Sequence, residues 1–268
     1  ETPEGQFIIA SHVQGNHATT AGGGLWASGS SDLSIESTHF GENTTDGDGG
    51  AVFAFEANLE ILESQFHGNQ AQSGGGIYVD ETSMEMWNSG FGGNHASLDG
   101  GALWLWQSFA LVGELFFEDN HADRRGGAIM NIGHSCLDVS DSGFFGHAAP
   151  ENGGAIYNVG SPAGPATLFL YGTHFEGNHA ELGGAIANDL SHVNIGNSQI
   201  VGNHAGDEGG GLYNFNDASA DITDTMFADN TAGGGGGGIG NADSGLFVTS
   251  VLAVGNSATF GGFLDSYG

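Results

Sequence analysis

The sequence predicts an all-β fold, one elongated domain over residues 1–268 built as a stacked β-solenoid of about ten coils. Three observations carry this. A Gly-Gly pair, followed directly or after one small residue by an aliphatic residue, recurs at intervals of 25 to 30. Its aliphatic members are Leu25, Val52, Ile77, Leu103, Ile129, Ile156, Ile186, Leu212, Ile239 and Leu264. Between them runs Phe-x-x-Asn, whose asparagines are Asn16, Asn43, Asn69, Asn94, Asn120, Asn178, Asn203, Asn230 and Asn256, with His147 in the sixth slot. No apolar period of 3.6 appears, and glycine interrupts every window that could be helical. A repeat of ~26 residues sustained over the whole length marks a stacked solenoid rather than a body around one catalytic centre.

Each element follows from its own pattern. The first segment of a coil alternates with period two and places aliphatic residues seven and five positions before the Phe slot, as in Leu59/Ile61, Leu137/Val139 and Leu168/Leu170. The Phe slot itself (Phe40, Phe66, Phe91, Phe117, Phe144, Phe175 and Phe227) predicts an inward aromatic stack, with Val13, Ile200 and Ala253 filling other levels. The asparagine three residues on can bond neighbouring coils and the turn backbone. The Gly-Gly turn then opens a second alternating segment. A further asparagine file follows it at Asn131, Asn158, Asn188, Asn214 and Asn241. Each coil is expected to add one strand to each of two or three parallel sheets. With levels ~4.8 Å apart, ten coils make a rod of about 48 Å. Asparagines recurring on every level are structural.

Composition bounds the partners. Asp and Glu number 32 against two basic residues, Arg124 and Arg125, for a net charge of −30. The imbalance comes from missing bases rather than from added acids, so a halophilic surface is not the favoured reading. Such a surface excludes nucleic acid, anionic lipid and polyanionic sugars without bridging cations. Cys136 stands alone and forms no intrachain disulfide. No apolar run approaches 18 residues, and no signal or lipidation motif is visible, so direct membrane insertion is not expected. Beginning at Glu1, the chain reads as a mature or excised form. Its Gly, Ser, Thr, Asn and Phe enrichment points to an extracellular or cell-surface location.

The motifs Gly183-Gly-Ala-Ile186 and Phe175-Glu-Gly-Asn178 resemble the repeats of the chlamydial polymorphic outer membrane proteins and related autotransporter-like passengers. The resemblance spans essentially the whole chain. It implies a right-handed parallel β-helix, surface exposure, and adhesive or structural roles. Two features depart from it: no membrane barrel follows, and basic residues are nearly missing. A right-handed parallel β-helix of about ten coils is therefore the expected fold.

Candidate chemistry is sparse. Pectin-degrading enzymes resemble this architecture but need a groove of long loops and basic residues against uronates. Here only Arg124 and Arg125 are available, and the longest coil, around residues 160–166, gains only a few residues. Carboxylate pairs at glycosidase spacing arise by accident between adjacent coils. No enzymatic role and no certain cofactor are expected.

The turn before Gly-Gly repeats a carboxylate at Asp99, Asp123, Glu151, Glu181 and Asp207. Stacked like charges repel. Either solvent and salt screen them, or calcium bridges them as a cation ladder. Histidines also keep register, and the neighbouring pairs His95/His121 and His179/His204 could clasp a transition metal, though exposed turn histidines are the commoner case. Protonation of the twelve histidines below about pH 6 would soften repulsion between chains.

One residue past each inward aliphatic lies an outward slot. There Trp26, Phe53, Tyr78, Trp104, Tyr157 and Tyr213, with Met130 and Ala187, predict an exposed aromatic stripe. Such a stripe would meet a surface protein or a neutral glycan unless a loop covers it. Asn43-Thr44-Thr45 is the one clear glycosylation sequon.

Both ends read as uncapped. Joined head to tail, the interval from Leu264 to the next Leu25 is (268 − 264) + 25 = 29 residues, inside the internal range. The expected function is an extracellular structural subunit that self-associates end to end into a filament. An adhesin or passenger fragment displaying a binding surface is the alternative, and a polysaccharide-acting enzyme is a third reading.

Overall fold

The computed structural model describes residues 5–29, 32–162 and 164–268. They form a parallel β-solenoid. Three ten-stranded sheets run its length. The first extends from Gln6–Ile9 to Gly245–Thr249, the second from His12–Gln14 to Leu252–Val254, and the third from Leu25–Ser28 to Leu264–Tyr267. A fourth column of short strands is broken into a five-stranded part ending at His121–Ala122 and a three-stranded part starting at His179–Leu182. The gap falls at Ala148-Ala149-Pro150, where proline supplies no ladder donor; isolated bridges from Ala148 to His121 and to His179 span it.

Register follows the repeat. Leu137 pairs Ala110 on one side and Leu168 on the other, and Ile156 pairs Ile129 and Ile186. Like therefore lies on like. The Phe-slot rings from Phe40 to Phe175 stack at centroid separations of 4.6–5.1 Å and interplanar angles of 3–14°. All six are buried together with Phe227, and Ile200 fills the level between Phe175 and Phe227. Offset stacking of this kind adds ~0.5–1.5 kcal/mol per pair beyond burial.

The two glycines of each turn are required for different reasons. At Gly126 the backbone turns through φ +63°, a left-handed conformation that costs an L side chain strain. At Gly127 a Cβ would drive into the carbonyl oxygen of Gly154 on the next level and into the backbone of Ala148. The first glycine makes the corner and the second lets adjacent coils approach. In the longest coil an antiparallel bridge joins Ser161 and Gly164, and the strands on either side keep the core register. Ala163 of that coil lies outside the described residues.

Both asparagine files form hydrogen-bonded ladders, buried except at the ends of the rod, and the first is interrupted at His147. Asn43 Nδ2 donates to Asn69 Oδ1 (3.0 Å), Asn69 to Asn94 (2.9 Å) and Asn94 to Asn120 (2.9 Å). Each amide also bonds the carbonyl of the Phe-slot residue of the preceding coil, as Asn94 does with Phe66 and Asn43 with Val13. The second file runs Asn131, Asn158, Asn188, Asn214, Asn241 with Nδ2 to Oδ1 distances of 2.7–2.8 Å. This arrangement satisfies the polar groups of a bend that the rod itself buries.

Candidate functional site

The polar face of interest is the turn column that joins the short strands to the Gly-Gly turns. Here the five carboxylates expected to form one cation ladder are divided. Bridges align Asp99 with Arg125, Arg125 with Asn152 and Asn152 with Leu182, which pairs Glu208. Asp99 lies in that file and is buried. Arg124 and Arg125 of the next coil reach back to it, each with Nε on Oδ1 and Nη2 on Oδ2, the Nε contacts measuring 3.0 and 3.1 Å. Two bidentate forks on one carboxylate leave no oxygen for a cation. The chain's two bases are thereby engaged internally, and Arg125 also lies 5.5 Å over the Tyr157 ring.

Glu151, Glu181 and Asp207 each sit one residue before that file on successive levels, and all three are exposed, as screened carboxylates would be. Asp123 lies two residues before it and turns instead to histidine. His95 Nε2 is 2.9 Å and His121 Nε2 3.1 Å from the same Asp123 Oδ1. The two imidazoles stack at 5.4 Å and 9°, held by pairing of His95–Ala96 with His121–Ala122. The His95 hydrogen bond, with the two imidazoles nearby, holds the Asp123 carboxyl below the usual carboxylate range. Among the described residues this is the only group in which three His, Cys, Asp or Glu side chains bring ligand atoms together.

The outward slot of the third sheet behaves in two ways. Phe53, Tyr78 and Trp104 stand side by side, with centroids 5.1 and 4.1 Å apart and planes within 11°. Tyr78 thus has both faces covered, and ring edges rather than faces meet solvent. Trp26 is exposed at 58%. Tyr157 and Tyr213, expected in the same exposed stripe, are buried at 3% and 8%. The difference follows from the next level. Tyr157 is followed by Ala187 and Tyr213 by Gly240, so each ring leans across a small neighbour. Tyr157 then packs with Met130, Val159 and Ala187 in a small second core on the outside of the sheet, and its hydroxyl donates to Asp189 Oδ2 at 2.7 Å. The tyrosine hydroxyls of this face are pushed above their ordinary range, first by burial, then by neighbouring acids at Tyr78 and Tyr157 and by the Tyr267 hydroxyl at Tyr213.

The glycosylation sequon fails on geometry. Asn43 has no exposed surface, and its amide is bound to Asn69 and to the Val13 carbonyl. His147, in the sixth slot of the ladder, is equally buried. Its Nδ1 accepts from the Asn120 backbone amide at 3.0 Å, which places the proton on Nε2, a buried atom with no partner. Burial is the main cause that lowers its pKa to about 3.

No family model, curated protein or solved structure matches the chain. The resemblance to polymorphic outer membrane protein repeats therefore rests on the two motifs and on the solenoid they build. It carries no function with it.

Two features escaped the sequence reading. A buried hydroxyl file lies two residues before the Phe slot, at Thr38, Ser64, Ser89, Ser142, Thr173, Ser198 and Thr225. It caps backbone amides between levels, as Ser89 Oγ does for Ser64 N at 3.0 Å. A second file includes Ser108, whose Oγ accepts from Thr82 N at 3.1 Å. The fixed offset from phenylalanine was a legible signal. The Asp99 cluster had none, because nothing in a spacing says which way two adjacent arginines turn.

Proposed function

We propose that this chain is an extracellular structural solenoid whose copies stack end to end into a filament. The observation that supports it is the chemistry of the two terminal levels. Among the described residues, each of the three long sheets ends, at either end, in a strand paired on one side only. The outermost coils also present apolar side chains: Phe7 and Ile9 are 68% and 53% exposed at one end, and Leu252 and Val254 57% and 52% at the other. Core-slot residues Ile8, Val13 and Leu25 at the first level, and Leu246, Val248 and Phe263 at the last, are only partly covered. An open parallel edge backed by uncovered core accepts further strands of the same pattern, and a heterologous contact that continues the screw makes an open filament. Coil-on-coil pairing inside the rod is the contact that such stacking would repeat.

The test is imaging and sedimentation of the tag-free chain at high salt, where a charge of −30 is screened. Fibres of solenoid width are expected, and their loss in Leu252→Lys/Val254→Lys, which places charge on one open end. Monodisperse rods of about 48 Å under all salt conditions would remove the reading. A display role, as in an adhesin, is favoured by one observation, the partly exposed ribbon Phe53–Tyr78–Trp104. In that case a partner would grip ring edges on short rods.

A further inference from the structure

We propose that His95, His121 and Asp123 form a surface site for one divalent transition ion of the zinc class. Three independent features lead there. First, the ligand atoms converge: both Nε2 atoms point at one Asp123 oxygen, and all three atoms lie within 4.8 Å of one another. Bonds of ~2.0–2.1 Å to a tetrahedral ion set ligand atoms about 3.3 Å apart. Nε2–Oδ1 separations of 2.9 and 3.1 Å therefore need to open by only a few tenths of an ångström, while the two Nε2 atoms, within 4.8 Å of each other, settle at about 3.3 Å. Side chains 38–50% exposed can make that adjustment. Their open side leaves room for water in the remaining position.

Second, the backbone presets the pair. The two histidines stand opposite each other in a parallel ladder, so their imidazoles are stacked before any ion arrives. Third, the repeat supplies its own comparisons. His179 and His204 stack just as closely, at 4.9 Å and 4°, but His204 turns Nδ1 to the Thr231 hydroxyl, and the residue two after it is Gly206. His17 has a carboxylate on the next level, Asp46, at 3.9 Å, but its stacking partner is Thr44. Stacked histidines recur in this column, and so does a nearby acid. Only at this level do two imidazoles and a carboxylate meet, among the described residues.

Donor type sets the metal. Two imidazole nitrogens and one carboxylate oxygen suit zinc, cobalt, nickel or copper, whereas calcium takes an all-oxygen shell. Arg124 and Arg125 follow Asp123 directly, but both are tied to Asp99, so the local positive charge is partly cancelled. The negative field of the whole chain concentrates cations at the surface.

The experiment is equilibrium binding of zinc alone to the tag-free chain at about pH 7.5 in moderate salt. One strong equivalent is expected. His121→Gln and Asp123→Asn should each weaken it by about tenfold or more, while His179→Gln leaves it within about twofold. On wild-type protein, cobalt should selectively broaden the imidazole resonances of His95 and His121, a readout that does not depend on any variant folding. Absence of a strong equivalent overturns the proposal. Equal loss in His179→Gln, unchanged affinity in His121→Gln, or broadening spread evenly over the histidines does so as well.

Discussion

His147 is the one irregular member of the inner asparagine ladder, and replacing it with asparagine should stabilise the protein in a pH-dependent way. In the regular levels an asparagine side chain accepts from the level before, donates to the level after, and donates to a phenylalanine carbonyl, as Asn94 does. At His147 the ring accepts only from Asn120 N, and Nε2 is stranded. His147→Asn restores three side-chain bonds, from Asn120 and to Asn178 and Phe117, at roughly 1 kcal/mol net each. Against this stands the space left by the larger ring, about 1–2 kcal/mol. The expected gain near neutral pH is therefore roughly 1–2 kcal/mol. Acid widens the gap. With a folded pKa of about 3 and an unfolded value near 6.5, the unfolded state binds the proton first. The stability contributed by neutral His147 is complete above about pH 6.5 and drains away as pH falls towards 3. At pH 5 the loss is (6.5 − 5) × 1.36, or about 2 kcal/mol, and the variant does not suffer it. Urea unfolding of both proteins at about pH 7.5 and pH 5 measures this, since the other histidines are common to both. A variant no more stable than wild type, or an advantage that does not grow on acidification, would refute the reasoning.

Two further substitutions test the packing. Gly127→Ala should disrupt the stack, because its methyl meets the backbone of Gly154 and Ala148 rather than a movable side chain. A loss above about 3 kcal/mol, or no folded protein, is expected, whereas Gly177→Ala, with φ +69° but open space around it, should cost only ~1 kcal/mol by circular-dichroism melting. Phe117→Ala removes a ring stacked on both Phe91 and Phe144 and should cost about 3–5 kcal/mol, with loss of near-ultraviolet signal; a smaller effect would mean that the aromatic file is not where the rod's cohesion lies.

Much of this fold was legible because a solenoid repeats its physics every ~26 residues. Gly126-Gly127, Phe117 and Asn120 announce a corner, a core slot and a ladder, and each is seen ten times over with small variations. What spacing could not supply was the fourth, broken strand column, since two-residue strands such as His121–Ala122 carry no alternation of their own. The site residues were harder for the same reason in reverse. Asp99, Asp123, Glu151, Glu181 and Asp207 share a segment but not a register position, and one residue of offset decides between a buried arginine clasp, a histidine pair and open solvent.

The outward stripe makes the more general point. Alternation in the third sheet does tell which side chains leave the core, but it does not tell whether they reach water. That depends on the residue one coil further on, some 26 positions away in sequence. An aromatic neighbour props Tyr78 upright against Trp104. A small neighbour lets Tyr213 lean over Gly240 and bond Tyr267 two levels on, at 3.2 Å between hydroxyls. In a stacked fold the environment of a residue is therefore written in the column, not in the strand. The same holds for His95: its chemistry is decided by His121 and Asp123 of the following coil, which is why a unique site can arise in a molecule whose every level is built alike.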